Sequence, residues 1–130
     1  MGIRPVVLLA AAVIALGACQ ESRAFPPVGP VTRAEVRQSS QTVGQITDAA
    51  QLAALVAFID ARREGWKVHW AGVPVGAVGV TLYRDAQVLG SFGAGQDFFE
   101  VQRDGAFFSR RASGAEVNQF RELLRGRVEK

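Results

Sequence analysis

The chain has 130 residues, with 15 Lys+Arg against 12 Asp+Glu and a formal charge of +3. That length suits one domain with a single core. One Cys and one His exclude an intrachain disulfide framework, a Cys-based zinc site and a His-rich metal site. The apolar excess sits at the front, where 14 of the first 18 residues are Ala, Val, Ile, Leu or Met. This pattern excludes a polytopic membrane protein and a wholly disordered chain.

Arg4 supplies a short positive start, and residues 5–18 are uncharged and mostly aliphatic. A helix of that length spans about 21 Å, short of the ~30 Å hydrocarbon core. It therefore reads as the apolar region of an export signal over 1–18. The exit is Leu16-Gly17-Ala18-Cys19. It resembles the bacterial lipoprotein signal, in which Leu, two small residues and Cys mark cleavage and lipidation. The resemblance covers these 19 residues. It implies cleavage before Cys19 and acylation of Cys19, with palmitate-like chains on the thiol-linked glycerol and on the new amino group. At about 0.8 kcal/mol per buried CH₂, two or more chains hold a protein stably on a membrane. A lone thiol is a liability in an exported protein, and lipidation accounts for it. Gln20 stands where an Asp retains many such lipoproteins in the inner membrane, so the resemblance points to the outer membrane, facing the periplasm.

Residues 19–32 hold Pro26, Pro27 and Pro30 with Gly29. This density favours an extended tether, reaching up to about 40 Å at ~3.1 Å per residue. The domain is expected over 33–130. Residues 33–38 alternate in the manner of a half-exposed strand, and 43–46 return as a second short one. Asp48 and Gln51 form a capping box at the start of a helix over about 49–64. Leu52, Leu55, Val56 and Ile59 make its apolar stripe, Arg62 and Arg63 complement the dipole in its last turn, and Gly65 suits the left-handed C′ position. Residues 66–76 read as an ordered loop with a short extended stretch at 66–70. Strands follow over 77–83, 87–92, 98–102 and 106–110, the last two joined by Asp104-Gly105, which supports a tight hairpin turn. Ser113 and Glu116 form a second capping box, opening a helix buried through Val117, Phe120 and Leu124 and ended by Gly126. The expected fold is α+β: a two-layer sandwich with an antiparallel sheet of about four to five strands and two helices on one face.

Few residue patterns point to chemistry. His69 is the only base for a hydroxyl nucleophile such as Ser91 or Ser109, and neither serine sits in a nucleophile elbow. Asp97, Glu100 and Asp104 read as turn and edge residues. Gly90, Gly93 and Gly95 lack the following helix that a phosphate cradle needs, so a bulge or wide turn is expected. No cofactor, metal or nucleic acid is expected. Phe98-Phe99 and Phe107-Phe108 must each send one ring to each face of a sheet. An aromatic patch there, with the tryptophan loop, is the expected binding site: Trp70, His69, Val73, Pro74 and Phe98, with Trp66 as core. Arg110, Arg111, Arg121, Arg125 and Arg127 read as a solvated basic face. Together these features point to a non-enzymatic lipid-anchored envelope protein that binds another envelope component in an accessory or assembly role. The alternative is a small-ligand binder or enzyme inhibitor using the 66–76 loop.

Overall fold

The computed structural model describes residues 22–69 and 76–125. Cys19, Trp70, Val73 and Pro74, the signal segment and Gly126 lie outside them. The strands are β1 (Arg33–Gln38), β2 (Gln41–Ile46), β3 (Lys67–His69), β4 (Val78–Arg84), β5 (Gln87–Ala94), β6 (Phe98–Arg103) and β7 (Ala106–Arg111). The helices are α1 (Ala49–Asp60), between β2 and β3, and α2 (Gly114–Leu124), after β7. All the strands belong to one sheet of order β2-β1-β4-β5-β6-β7-β3, and every neighbouring pair is antiparallel. Among the described residues no helix is long and apolar enough to cross a membrane.

The fold is α+β as expected, but the sheet has seven strands rather than four or five. The undercount has a physical origin. The β1–β2 hairpin is separated from the β4–β7 meander by a helix, and β3 is only three residues long. They join one sheet only through non-local ladders, Val36 opposite Val80 and Val68 opposite Phe108. The local turns obey simple backbone chemistry. Asp104 and Gly105 both have positive φ, 53° and 78°, the requirement of the tight turn between β6 and β7. Asp85 takes φ 55° between β4 and β5, where a short polar side chain tolerates the left-handed region.

The core is one apolar cluster with an aromatic centre. Phe58 of α1 and Phe120 of α2 stack at 5.7 Å, and both meet Phe92 of β5 and Phe99 of β6. Such ring pairs add about 0.5–1.5 kcal/mol each beyond area burial. Leu52, Leu55, Phe58 and Ile59 are the buried residues of α1. Val56, expected in that stripe, is only half-buried, and Phe58 takes the inward position.

The ends of α1 depart from expectation. Asp48 accepts the Gln51 N–H at 2.9 Å, so half of the capping box forms. The Gln51 side chain instead donates to the Leu123 carbonyl, at 3.2 Å, tying α1 to α2. The helix stops at Asp60, with Ala61 as C-cap, so Arg62 and Arg63 lie beyond the last turn and Gly65 is not C′. Arg62 still serves the helix end by donating to the Phe58 carbonyl at 2.8 Å. Its guanidinium also lies 3.6 Å from the Phe58 ring centre and bonds Glu116 at 2.8 Å. At α2 the Ser113–Glu116 box is complete. Glu116 thus accepts both the Ser113 N–H and Arg62, which hold its carboxyl below the ordinary glutamate range.

The largest departure is the proline-rich segment. Residues 22–32 do not form a free spacer; they strap the domain. Arg23 exchanges two backbone bonds with Trp66, at 2.6 and 3.1 Å, and the Phe25 N–H donates to the Arg63 carbonyl at 2.9 Å. Val28 donates to Asp60, and Arg84 clamps the Val28 and Pro30 carbonyls at 3.0 and 2.8 Å. Thr32 N–H reaches the Tyr83 carbonyl. The Phe25 ring meets Phe108 edge-on at 4.9 Å and Trp66 at 5.9 Å. The folded unit therefore begins near Ser22 rather than at Arg33. A cavity of about 70 Å³ remains between the strap and the core, lined by Phe25, Trp66 and Leu89 among others.

Two outcomes follow from this packing. Phe25→Ala removes a half-buried ring and should lower the unfolding free energy in urea by about 1–3 kcal/mol; a loss under ~0.5 kcal/mol would mean that the strap is not part of the cooperative fold. Glu116 has a folded-state pKa below its unfolded one. Its contribution to stability is therefore complete above about pH 4.3 and is lost as pH falls through the lowered folded value. Urea titrations at pH 7 and pH 3 should show that Glu116→Gln loses less stability on acidification than the parent protein.

Candidate binding face

Along each strand, alternate side chains point away from the aromatic core. In register across the sheet they form two neighbouring rows. One runs Glu35, Thr81, Ser91, Gln102, Phe107, His69. The other runs Arg37, Gly79, Gly93, Glu100, Ser109, Lys67. Polar residues at every second position make this face water-compatible.

The second row is shaped by its two glycines. A Cβ on Gly79 would stand 2.5 Å from the Arg37 guanidinium, and one on Gly93 would stand 2.8 Å from the Glu100 carboxylate. Arg37 and Glu100 therefore lie down over the glycines and meet at 3.9 Å across the two intervening strands. Beside them the face dips into an open concavity of about 610 Å³. Its wall includes Arg37, Glu100, Gln102 and Arg103, with Val88 and Phe107 on the rim. Leu89 is the extra residue of a bulge opposite Leu82/Tyr83, just before the glycine-rich stretch, whose residues 90–94 pair regularly within β5. Val88 is 59% exposed and Phe107 is 40% exposed, and they are the large hydrophobics exposed among the described residues.

Beyond the concavity, Arg33 bonds Glu35 at 2.7 Å and lies 3.9 Å over the Tyr83 ring. The Arg33 bond holds the Glu35 carboxyl below its ordinary range. Burial, then the bond to Glu35, raises the Tyr83 hydroxyl above its own.

Of the expected site residues, His69 stands at the end of the first row, on edge strand β3, and is exposed. Its Nε2 lies 2.5 Å from the Ser109 Oγ on β7. This is the histidine–hydroxyl contact that a nucleophilic dyad requires. A dyad also needs an orienting partner on Nδ1 and free N–H donors for an oxyanion. Ser109 lies in an interior strand paired on both sides, so its flanking N–H groups serve the ladders. The contact fixes the imidazole against the sheet and leaves its ring available to a partner. Phe98 is half-buried beside Gly95, opposite Arg111, and is not on the concavity. Trp66 is 1% exposed and donates from Nε1 to the Arg62 carbonyl at 2.7 Å, so it offers no surface to a ligand. Among the described residues no group of three or more His, Cys, Asp or Glu could hold a metal ion.

Each phenylalanine pair splits as the pleat requires: Phe99 and Phe108 are buried, Phe98 and Phe107 are not. The sequence places both phenylalanine pairs in the expected patch and singles out Phe98, whereas the structure exposes Phe107; Val88, Arg37 and the glycine trough carry no local motif of a site. The available signal was the alternation itself, which places Gly79 and Gly93 among polar neighbours on the outward side of β4 and β5. Comparison with protein-family models, curated proteins and solved structures finds no match for the chain.

The glycine trough makes a double-mutant test direct. Gly79→Ala should cost about 0.5–1 kcal/mol in the parent protein, because its methyl pushes the flexible Arg37 guanidinium off the glycine and away from Glu100. The same substitution should cost clearly less in an Arg37→Ala background, since the clashing group is gone. Equal costs in both backgrounds, measured by urea unfolding, would show that Arg37 does not occupy the trough.

Proposed function

We propose that the chain is a lipid-anchored protein of the bacterial cell envelope, acylated at Cys19 after removal of residues 1–18. In this reading it sits in the outer membrane facing the periplasm and binds another envelope protein in an accessory or assembly role, without catalysing a reaction. The domain acts as a two-layer platform: α1, α2 and the strap occupy one face of the sheet, and the other face receives the partner. The observation that carries the reading is the coincidence of exposure and shape. Val88 and Phe107, the exposed large hydrophobics, both border the same 610 Å³ concavity. Exposed apolar groups standing beside charged ones suit a surface that a partner covers. Arg37, Glu100, Arg103 and Asp104 on the same wall supply the charges that orient a partner.

Site-specific photo-crosslinking in cells tests the surface. A photoreactive residue at position 88 or 107 should give the same discrete adduct. The exposed α1 positions 53 and 57 should give none. Equal adducts at all four positions, or none at 88 and 107, would remove the concavity as the binding surface. Cys19→Ser should leave the protein unprocessed or soluble, and normal processing with retention on membranes would overturn the anchor.

A further inference from the structure

The strap changes where the domain stands relative to Cys19. Arg23 is held by the fold through both of its backbone bonds to Trp66. Four residue steps separate it from Cys19, at most about 14 Å of extended chain. A free spacer over 19–32 would have allowed up to about 40 Å. Any anchor at Cys19 must therefore bring its membrane close to the corner formed by Arg23, Gly65 and Trp66.

That corner is basic. Arg63 reaches the Phe25 carbonyl at 3.4 Å, and Arg110 reaches the Glu64 carbonyl at 2.7 Å. Both line an open hollow of about 600 Å³ with Asp60, Glu64, Ser22, Ala61 and Gly65, and the further cations Arg23, Lys67 and Arg111 stand around it. Lys67 opposes Ser109 in the ladder, and Arg110 and Arg111 follow Ser109 at the end of β7. Neither Arg63, Lys67 nor Arg110 forms a side-chain salt bridge among those found. Arg23, Arg63, Lys67, Arg110 and Arg111 thus stand with Asp60 and Glu64, and Glu21 lies in the short link to Cys19. The excess of cations at this corner is two. The chain from Cys19 onward carries 14 Lys+Arg against 12 Asp+Glu, an excess that is also two. Among the described residues the rest of the surface carries seven Arg against eight Asp+Glu, so the positive excess of the described fold gathers at this corner.

We propose that the domain lies directly on the membrane, with this basic corner against anionic phospholipid headgroups, instead of standing off on a spacer. The inference rests on acylation at Cys19. The negative surface potential of such a leaflet attracts clustered Arg and Lys and acts within a Debye length, about 8–10 Å; a link of at most about 14 Å, unless fully extended away from the membrane, brings the corner into that range. Edge strand β3 then meets the headgroups. The opposite edge, β2, stands six ladder spacings away, about 29 Å further across the sheet. The concavity between them opens sideways, toward a neighbour in or near the same membrane.

Cys19 is the chain's only cysteine, so an introduced one takes a single label once Cys19 is acylated. Ala61→Cys marks the hollow and Ser40→Cys marks the β1–β2 turn at the far edge. The purified acylated protein is reconstituted in phosphatidylcholine vesicles with or without phosphatidylglycerol, with a contact-range quencher on the headgroups. Docking predicts severalfold stronger quenching at position 61 than at 40, only when phosphatidylglycerol is present. High salt should abolish the difference, as should Arg63→Glu with Arg110→Glu. Lys67→Glu, at an exposed position, serves as a second variant if that pair unfolds. Equal quenching at both positions, or the same difference on phosphatidylcholine alone, would overturn the docking. Mass analysis of the N-terminal peptide separates the two readings. An unacylated Cys19 sinks the anchor, whereas an acylated protein that floats with vesicles but leaves position 61 unquenched sinks only the docking.

Discussion

Trp66 is where the separate parts of this chain are joined, and the rest of the architecture depends on that junction. Its indole N–H closes the end of α1 through the Arg62 carbonyl. Its backbone N–H and carbonyl take up Arg23 of the strap, and its ring meets Phe25 on one side and Phe92 on another. A single buried side chain thus couples a helix terminus, a proline-rich strap, a short edge strand and the aromatic core. Each contact alone is worth about 0.5–1.5 kcal/mol. Their common residue makes them cooperative, because an indole shifted to satisfy one would lose the others. Arg62 repeats the device one step away, joining the α1 end to the α2 cap through Glu116.

The two sides of the sheet answer different demands. Toward the helices, large aromatic residues interlock and leave little space. Away from them, Gly79 and Gly93 remove side-chain volume in the middle strands, and Arg37 and Glu100 fill that volume from the flanks. A long charged side chain laid flat covers backbone while keeping its head wet. The result is a relieved, polar floor with Val88 and Phe107 at its rim, a shape that residues with larger side chains at 79 and 93 would abolish. The Arg37 and Glu100 side chains are only 20% and 16% exposed, and at 3.9 Å they stand at the limit of ion-pair contact, so the pair adds little Coulomb energy of its own. The arrangement is better understood as forming a surface than as holding the fold.

Much of the fold was legible in local patterns. The Ser113–Glu116 box, the Asp104-Gly105 turn, the Asp48 cap and the buried face of α2 are all set by residues within a few positions of one another, and each appears where expected. What failed was non-local. Arg62 and Arg63 carry the charge that suits a helix C-terminus, yet the chain leaves the helix earlier because Trp66 must reach the core. Gln51 has the chemistry to complete its own cap, yet it reaches a carbonyl of the other helix. The strand count missed the ladders that add β1, β2 and β3 to the meander, since strand pairing across a helix leaves no local mark. On the outward face, the pleat correctly divided each phenylalanine pair. Which outward ring stays exposed depended on neighbours: Phe98 has Gly95 beside it to fold against, and Phe107 faces the concavity.

The proline-rich segment shows how composition can be right about conformation and wrong about position. Prolines do keep residues 22–32 extended, since they fix φ and cannot enter a helix. Stiffness, however, does not imply detachment. The backbone N–H groups of Arg23, Phe25, Val28 and Thr32 all find acceptors on the domain, and Pro26, Pro27 and Pro30, placed between them, have no N–H to leave unsatisfied. A segment with fewer conformers when free also loses less entropy when it docks. The same residues that suggest a spacer therefore make an efficient strap. Its hydrogen bonds fall where the chain has donors, its prolines fall where the backbone has nothing to bond, and Phe25, Val28 and Val31 supply the apolar contacts that hold it against the core.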